Sequence, residues 1–282
     1  MIKAQFSGIK LVPKDLAFPE AGVLTGDFGE QALAEYQAVA KKDYAGIGAL
    51  NVLKYSGDIV RGSNQFAVVL MNQVVRPLGL RTATPADLEK ALQAGLDLRG
   101  TYEDSALALR TESNPNAYLA KKLMEQVKAR QEVKGPLMIP LCGLELVKDG
   151  NSDYGLAFKL RADAEIINAP ILNKNQGNFD STDIDVKTGL PKKLGAGTRT
   201  LYTRNNGLSR VYLYRNLDLD SNNGNLANSN EYGRVILAST EGAKLGAEKL
   251  NEYVAQITQA RDAEIAAIEA RAQKALGVLA GK

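Results

Sequence analysis

An α+β fold is the expectation for this chain, with a mainly helical first half, a strand-rich second half and one long helix at the C-terminus. Three observations predict it. Apolar residues recur at helical spacing through most of the first 131 residues. From Val133-Lys134-Gly135-Pro136 onward the apolar runs become short or alternating and are separated by Gly, Asn, Asp and Pro. From Glu241 to Leu279 the pattern returns to a continuous helix rich in Ala, Glu, Lys, Gln and Arg. The organisation that follows is a helical region over 1–134, a strand-rich domain over 135–240 and a helix over 241–282.

Residues 1–25 read as extended and turn-rich, with Pro13 and Pro19. Asp27 opens a helical stretch in which Leu33, Tyr36 and Val39 or Ala40 share a face. Further helices are expected over 45–55 and over 64–79, the second stopped by Pro77 and Gly79. The clearest helix start is Thr84-Pro85-Ala86-Asp87. Thr84 can cap the first turn, Pro85 suits the first helical position, and Asp87 and Glu89 favour the positive end of the dipole. Gly95 ends that helix, and two more are expected over 103–109 and 116–131. Beyond Pro136, the runs 136–147, 153–160 and 164–172 read as strands, 173–198 as a long polar loop, and 200–204, 208–214 and 233–239 as further strands. Asn206-Gly207 and Asn223-Gly224 are tight-turn dipeptides. In the C-terminal helix Val254, Ile265 and Leu276, and likewise Ile257, Ile268 and Leu279, recur every eleven residues, which gives a nearly straight apolar stripe. Such a stripe fits either packing on its own domain or a bundle between protomers.

Composition narrows the chemistry. The 282 residues are 45% hydrophobic and 24% charged with a net charge of +3, so no global attraction to nucleic acid is implied. No run approaches a membrane span, and the first residues make a poor signal peptide, so a cytoplasmic location is the default expectation. Histidine is absent, which removes the commonest general base and metal ligand. One cysteine, Cys142, supplies neither a disulfide nor a zinc site. A non-enzymatic protein without cofactor or metal is expected. Asp218/Asp220 and Asp183/Asp185 each begin like a calcium loop, with oxygen side chains on alternate residues, and neither completes the pattern.

The segment 205–230 stands apart. Asn occupies 205, 206, 216, 222, 223, 225, 228 and 230, no Lys occurs between Leu194 and Ala243, and Leu208, Val211, Leu213, Leu217, Leu219 and Leu226 recur among the polar residues. Alternation along the strand puts Tyr212, Tyr214 and Asn216 on one face and turns Val211 and Leu213 to the core. Tyr offers contact area at low entropy cost, and Asn, Ser and Gly offer adaptable hydrogen bonds, a mixture used by binding paratopes. The expected ligand-binding face is Tyr212, Tyr214, Asn216, Asp218, Asp220, Asn222, Asn223, Asn225, Asn228, Asn230 and Tyr232.

The polar alphabet of 205–230 is Asn, Ser, Asp, Tyr, Gly and Arg, without Lys, Gln or Glu, and Glu231 is the first exception. That is the set reachable when only adenines of Asn-type codons change. In this respect 201–239 resembles the variable region of target proteins of diversity-generating retroelements, and Gly233-Arg234-Val235-Ile236-Leu237-Ala238 is similar to the closing strand of those domains. The resemblance implies a C-type-lectin-like mixed α/β scaffold with short antiparallel strands, displaying a variable segment at 205–232 to a protein or glycan ligand. More loosely, residues 60–240 resemble an uncharacterised family of archaeal proteins. The alternative is a structural or assembly protein, a virus-like or surface component, in which the Asn-rich segment is an ordinary loop and the C-terminal helix forms a homo-oligomer.

Overall fold

A computed structural model describes residues 21–173 and 176–239. The strands are β1 (Ala21–Val23), β2 (Lys54–Ser56), β3 (Ile59–Arg61), β4 (Leu80–Thr82), β5 (Tyr102–Leu109), β6 (Leu137–Pro140), β7 (Leu144–Lys148) and β8 (Leu156–Leu160) in the first part. They continue with β9 (Ile167–Asn168), β10 (Gly177–Phe179), β11 (Arg199–Tyr202), β12 (Leu208–Leu213), β13 (Leu219–Asp220), β14 (Gly233–Arg234) and β15 (Ile236–Ser239). The helices are α1 (Gly26–Asp43), α2 (Gln65–Val75), α3 (Pro85–Gln93) and α4 (Ala117–Lys128).

The dominant element is a ten-stranded mixed sheet in the order β10-β11-β13-β12-β5-β14-β3-β2, with β6 also on β5 and β9 on β6. A three-stranded sheet, β1-β15-β4, and the hairpin β7-β8 complete the strands. This corrects the expected fold class. Among the described residues the protein is sheet-rich with four helices, and a ten-stranded sheet replaces both the helical half and the C-type-lectin-like arrangement of short antiparallel strands. The helix expected over 241–282 lies outside the described residues, as do residues 1–20.

The largest local correction is β5. Its residues, expected as a helix, form the central strand, antiparallel to β12 along one edge and paired with β14 and β6 along the other. All eight of its residues are buried, so neither face carries the solvent-facing polar positions that reveal a strand's period. Its alternate residues serve two cores. Leu107 and Leu109 join Leu208 beneath α1, α2 and α4, whereas Ala106 and Ala108 join Val211, Phe179 and Ile184 on the opposite side. The sheet therefore draws on both sides of the pattern change at 133–136. The helix expected over 45–55 is instead a 3-10 turn at Gly48–Leu50 followed by β2. The polar stretch 173–198 contributes β10 and the buried Ile184 and Leu190.

Other elements follow their sequence signals. α1 buries Leu33, Tyr36 and Ala40, and the Tyr36 hydroxyl donates to the Leu50 carbonyl at 2.7 Å. α3 starts with the full capping box: Thr84 accepts from the Asp87 amide at 3.2 Å, and Asp87 accepts from the Thr84 amide at 2.7 Å. α2 is buried around nearly its whole circumference because it lies inside the largest core, and it is capped by Asn64, which accepts from the Ala67 amide at 2.8 Å. No helix among the described residues is long and apolar enough to cross a membrane.

Candidate recognition surface

The Asn-rich segment is built in two layers, a buried floor and an exposed rim. The floor is β12 with β13. Every residue of β12 is buried, so Tyr212, at 6% exposure, belongs to the floor, unlike its expected place on the outer face. Beneath it lies the most deeply buried ion pair among the described residues. Arg210 reaches Asp104 with Nε at 2.9 Å and Nη2 at 2.7 and 2.9 Å, and their side chains are 2% and 0% exposed. The Asp104 carboxylate also accepts from Ser63 Oγ at 2.6 Å and Gln65 Nε2 at 2.8 Å, donors that flank the amino end of α2, where the helix dipole favours a negative charge. A buried pair is tolerable only when its remaining lone pairs and protons are satisfied in this way.

A β-bulge makes this geometry possible. Val211 stands opposite Ala106, but the next residue, Tyr212, stands opposite Asp104, so Ser105 is one residue extra on β5. The insertion turns Asp104 onto the face that carries Arg210. The guanidinium of Arg210 then packs under the rings of Tyr212 at 4.7 Å and Tyr102 at 5.4 Å, and Tyr212 meets Tyr214 edge-on at 6.0 Å. Burial and the adjacent Asp220, which accepts the Tyr212 hydroxyl at 2.9 Å, push that hydroxyl well above its ordinary range.

A second buried arginine, Arg110, has no carboxylate partner. It donates to the hydroxyls of Ser209 at 2.8 Å and Ser221 at 2.9 Å, and to the carbonyls of Leu172 at 2.7 Å and Ser221 at 3.1 Å. Burial pulls it down to about 10, still a cation at neutral pH. Glu103 is the opposite case, a buried carboxyl with one oxygen lacking any hydrogen bond. Burial pushes it up to about 8, with Thr101 and Arg234 acting against the rise and Asp104 adding to it.

The rim runs through 214–216 and 222–232. Its main chain is pinned from below. Arg210 donates to the Asn228 carbonyl at 3.0 Å, Asn64 Nδ2 to the Ala227 carbonyl at 3.2 Å and the Gln65 amide to the Leu226 carbonyl at 3.2 Å. The Asn230 amide donates to the Tyr102 hydroxyl at 3.0 Å, and Leu226 is fully buried. Both Asn-Gly dipeptides border Pro115. Gly207 has φ +67°, and a Cβ there would lie 2.5 Å from the Pro115 carbonyl oxygen. At Gly224 it would lie 2.6 Å from the Pro115 ring. Gly207 is the left-handed turn expected of Asn206-Gly207, while Gly224 has no positive φ and is required for clearance instead.

Much of the Asn and Asp density has a local cause. Asn216 accepts from the Asp218 amide at 3.3 Å and Asp220 from the Asn222 amide at 2.7 Å. Asn223 accepts from the Asn225 amide at 2.9 Å, Asn225 from the Ala227 amide at 3.1 Å and Asn230 from the Tyr232 amide at 3.0 Å. These are serial Asx turns, in which each side chain closes the backbone two residues on. Asp218 is buried and accepts from the Thr200 amide at 2.6 Å and from Asn216 Nδ2 at 2.7 Å, which ties the turn to β11. The eleven expected ligand-binding residues therefore separate. Tyr212 and Asp218 are buried, Asp220 and Asn223 are half-buried, and Tyr214, Asn216, Asn222, Asn225, Asn228, Asn230 and Tyr232 face outward. Of the outward set, the side chains of Asn222 and Asn228 make no hydrogen bond among the described residues. Tyr214 and Tyr232 are two of the few large apolar side chains left exposed, at 41% and 37%.

Sequence reasoning missed Asp104, Arg210 and the Ser63/Gln65 pair. A charged residue inside each of two apolar strand runs was the available signal, since a buried charge demands a partner. Among the described residues no group of His, Cys, Asp or Glu is placed to hold a metal ion, and the two part-formed calcium loops use their carboxylates on backbone amides. Comparison of the chain with protein-family models, with curated proteins and with solved structures finds no match.

Proposed function

We propose that the chain is a non-enzymatic binding protein whose recognition face is the outer side of 214–232, built from Tyr214, Asn216, Asn222, Asn228 and Tyr232. One observation carries this reading: the segment is fastened by its main chain and by its Asx turns, and the outward side chains of Tyr214, Asn222, Asn228 and Tyr232 make no hydrogen bond among the described residues. Loops held in this way on a rigid sheet are where binding residues concentrate. Tyrosines beside short amides supply contact area and adaptable hydrogen bonds. The ligand class is a protein or a glycan.

The alphabet of the segment supports variation between copies of the gene at adenine positions. The anchoring pattern limits that variation to the rim, because Ser209, Arg210, Tyr212, Asp218 and Ser221 are buried in the floor. A partial repeat of the coding DNA, differing only at adenines of rim codons and lying beside a reverse transcriptase gene, is the expected genomic signature.

The direct test replaces Tyr214→Ser, Asn222→Ala, Asn228→Ala and Tyr232→Ser together in the full chain. Binders are selected from a displayed peptide library and a glycan array with the unaltered protein. The fourfold variant is expected to lose at least about tenfold in affinity while its Tm stays within about 3 °C, as for surface substitutions away from structural contacts. Unchanged affinity, or a collapse of Tm, removes the reading.

A further inference from the structure

Arg215 is the one arginine among the described residues whose guanidinium makes neither a hydrogen bond nor an ion pair. Every other one directs its guanidinium to a carboxylate, amide, hydroxyl or carbonyl oxygen. Arg215 instead lies over the ring of Tyr232, 4.0 Å from its centroid, and is exposed. Both members of the stack are held by their main chains. The Arg215 carbonyl accepts from the Gly100 amide at 2.8 Å, and the Tyr232 carbonyl accepts from the Tyr102 amide at 3.1 Å, so the pair straddles the start of β5. Beside it stands Tyr214, whose ring leans edge-on against the buried Tyr212 at 6.0 Å. A guanidinium held over an aromatic ring keeps N–H groups free to donate, and its planar fork takes a carboxylate through two parallel hydrogen bonds.

We infer that Arg215, stacked on Tyr232 and flanked by Tyr214, is the anchor of a protein-binding surface that takes an aspartate or glutamate side chain of an acidic partner segment. The inference rests on the recognition reading above and names the partner's chemistry. Interface anchors are characteristically Tyr and Arg in a pre-organised cluster with weaker polar residues around it. Here exposed Asn216 follows Arg215 in the chain, and Asn230 accepts from the Tyr232 amide at 3.0 Å. A sulfated glycan fits less well. It would need several cations together, whereas Glu231 adjoins Tyr232 in the chain and the nearby Arg99 is paired with Asp97 at 3.7 Å.

The experiment selects a random displayed peptide library on the immobilised full-length chain and titrates synthetic copies of enriched peptides. Enriched sequences are expected to share an Asp or Glu. Arg215→Gln should weaken them about tenfold or more, and Arg215→Lys, which keeps the charge but not the fork, by about threefold. Changing the peptide's acid to its amide should cost the unaltered protein as much as Arg215→Gln does, and cost the variant nothing further. Peptides without an acidic residue, the absence of any saturable binder, or equal affinity for Arg215→Gln would overturn the inference. Heparin retention abolished by Arg215→Gln would also overturn it, by assigning the fork to a sulfated glycan. Peptides sensitive to the fourfold rim variant but not to Arg215→Gln would overturn this inference alone. Peptides sensitive to neither would overturn the recognition reading with it.

Discussion

Arg210 and Arg215 belong to the same short segment, yet the protein treats them in opposite ways. In the floor, Arg210 is surrounded by Asp104, two tyrosine rings and a backbone carbonyl, and Asp104 in turn has two further donors. At the rim, the Arg215 guanidinium has the face of Tyr232 as its one partner among the described residues. The floor holds charge where an unmatched ion is expensive, and the charged atoms of Arg210 and Asp104 are matched donor to acceptor. The rim meets water, where the same side chain needs none. A segment built in this way gains rigidity from one layer and freedom of residue choice from the other.

The comparison breaks most sharply at Asp104. Asp104→Ala leaves Arg210 buried and unpaired, with an expected loss of ~3–5 kcal/mol in urea denaturation. The double change Asp104→Leu with Arg210→Met should recover most of it. If Asp104→Ala alone costs less than the rim substitutions below, the floor is not the foundation described.

A middle-sized effect comes from pH. The native carboxyl of Glu103 sits at about 8, above its ordinary value of 4.5. Its folded pKa is raised, so the associated stability is fully present below about pH 4.5 and is lost as pH rises towards 8. Glu103→Gln should therefore raise stability at pH 8 by on the order of 1–3 kcal/mol relative to the unaltered protein, and change little at pH 4. Parallel pH–Tm profiles for the two proteins would show that Glu103 does not hold its proton in the fold.

The smallest effects separate the two kinds of rim asparagine. Asn225→Ala and Asn230→Ala each remove an Asx turn and should cost ~0.5–1.5 kcal/mol. Asn222→Ala and Asn228→Ala should stay within ~0.5 kcal/mol. Equal losses at all four positions would mean that the rim carries structural load throughout.

Legibility from sequence followed the same division. The helices were readable because each has one dry face or a marked start, as at Leu33, Tyr36 and Ala40 or at Thr84-Pro85-Asp87. The strands over 200–204, 208–214 and 233–239 were readable as short apolar or alternating runs bounded by Gly and Asn. β5, buried on both faces as β12 is, was not, because its small residues Ser105, Ala106 and Ala108 suit a helix as well as a strand. Missing β5 concealed the ten-stranded sheet, since that strand joins β12 to β14 and β6. The rim's outward residues were legible from their composition. The Asx turns were not separable from them, because an asparagine that closes a turn and one that faces a ligand are the same letter. The pairing of Asp104 with Arg210 depends on a contact between residues far apart in the chain, and no local pattern reports it.

The extra residue in β5 has an effect beyond bending a strand. Glu103 and Asp104 are adjacent acids, and a strand offers its neighbours to opposite sides. With Ser105 inserted, Asp104 stands across from Tyr212 and Glu103 across from Leu213. Were Ser105 paired in regular register instead of bulged, it would take the place across from Tyr212, the parity would invert, and Glu103 would come to the side of Arg210 while Asp104 faced the apolar cluster around Leu213. The bulge at a single serine thus decides which of two neighbouring carboxyls becomes the counter-ion and which keeps its proton.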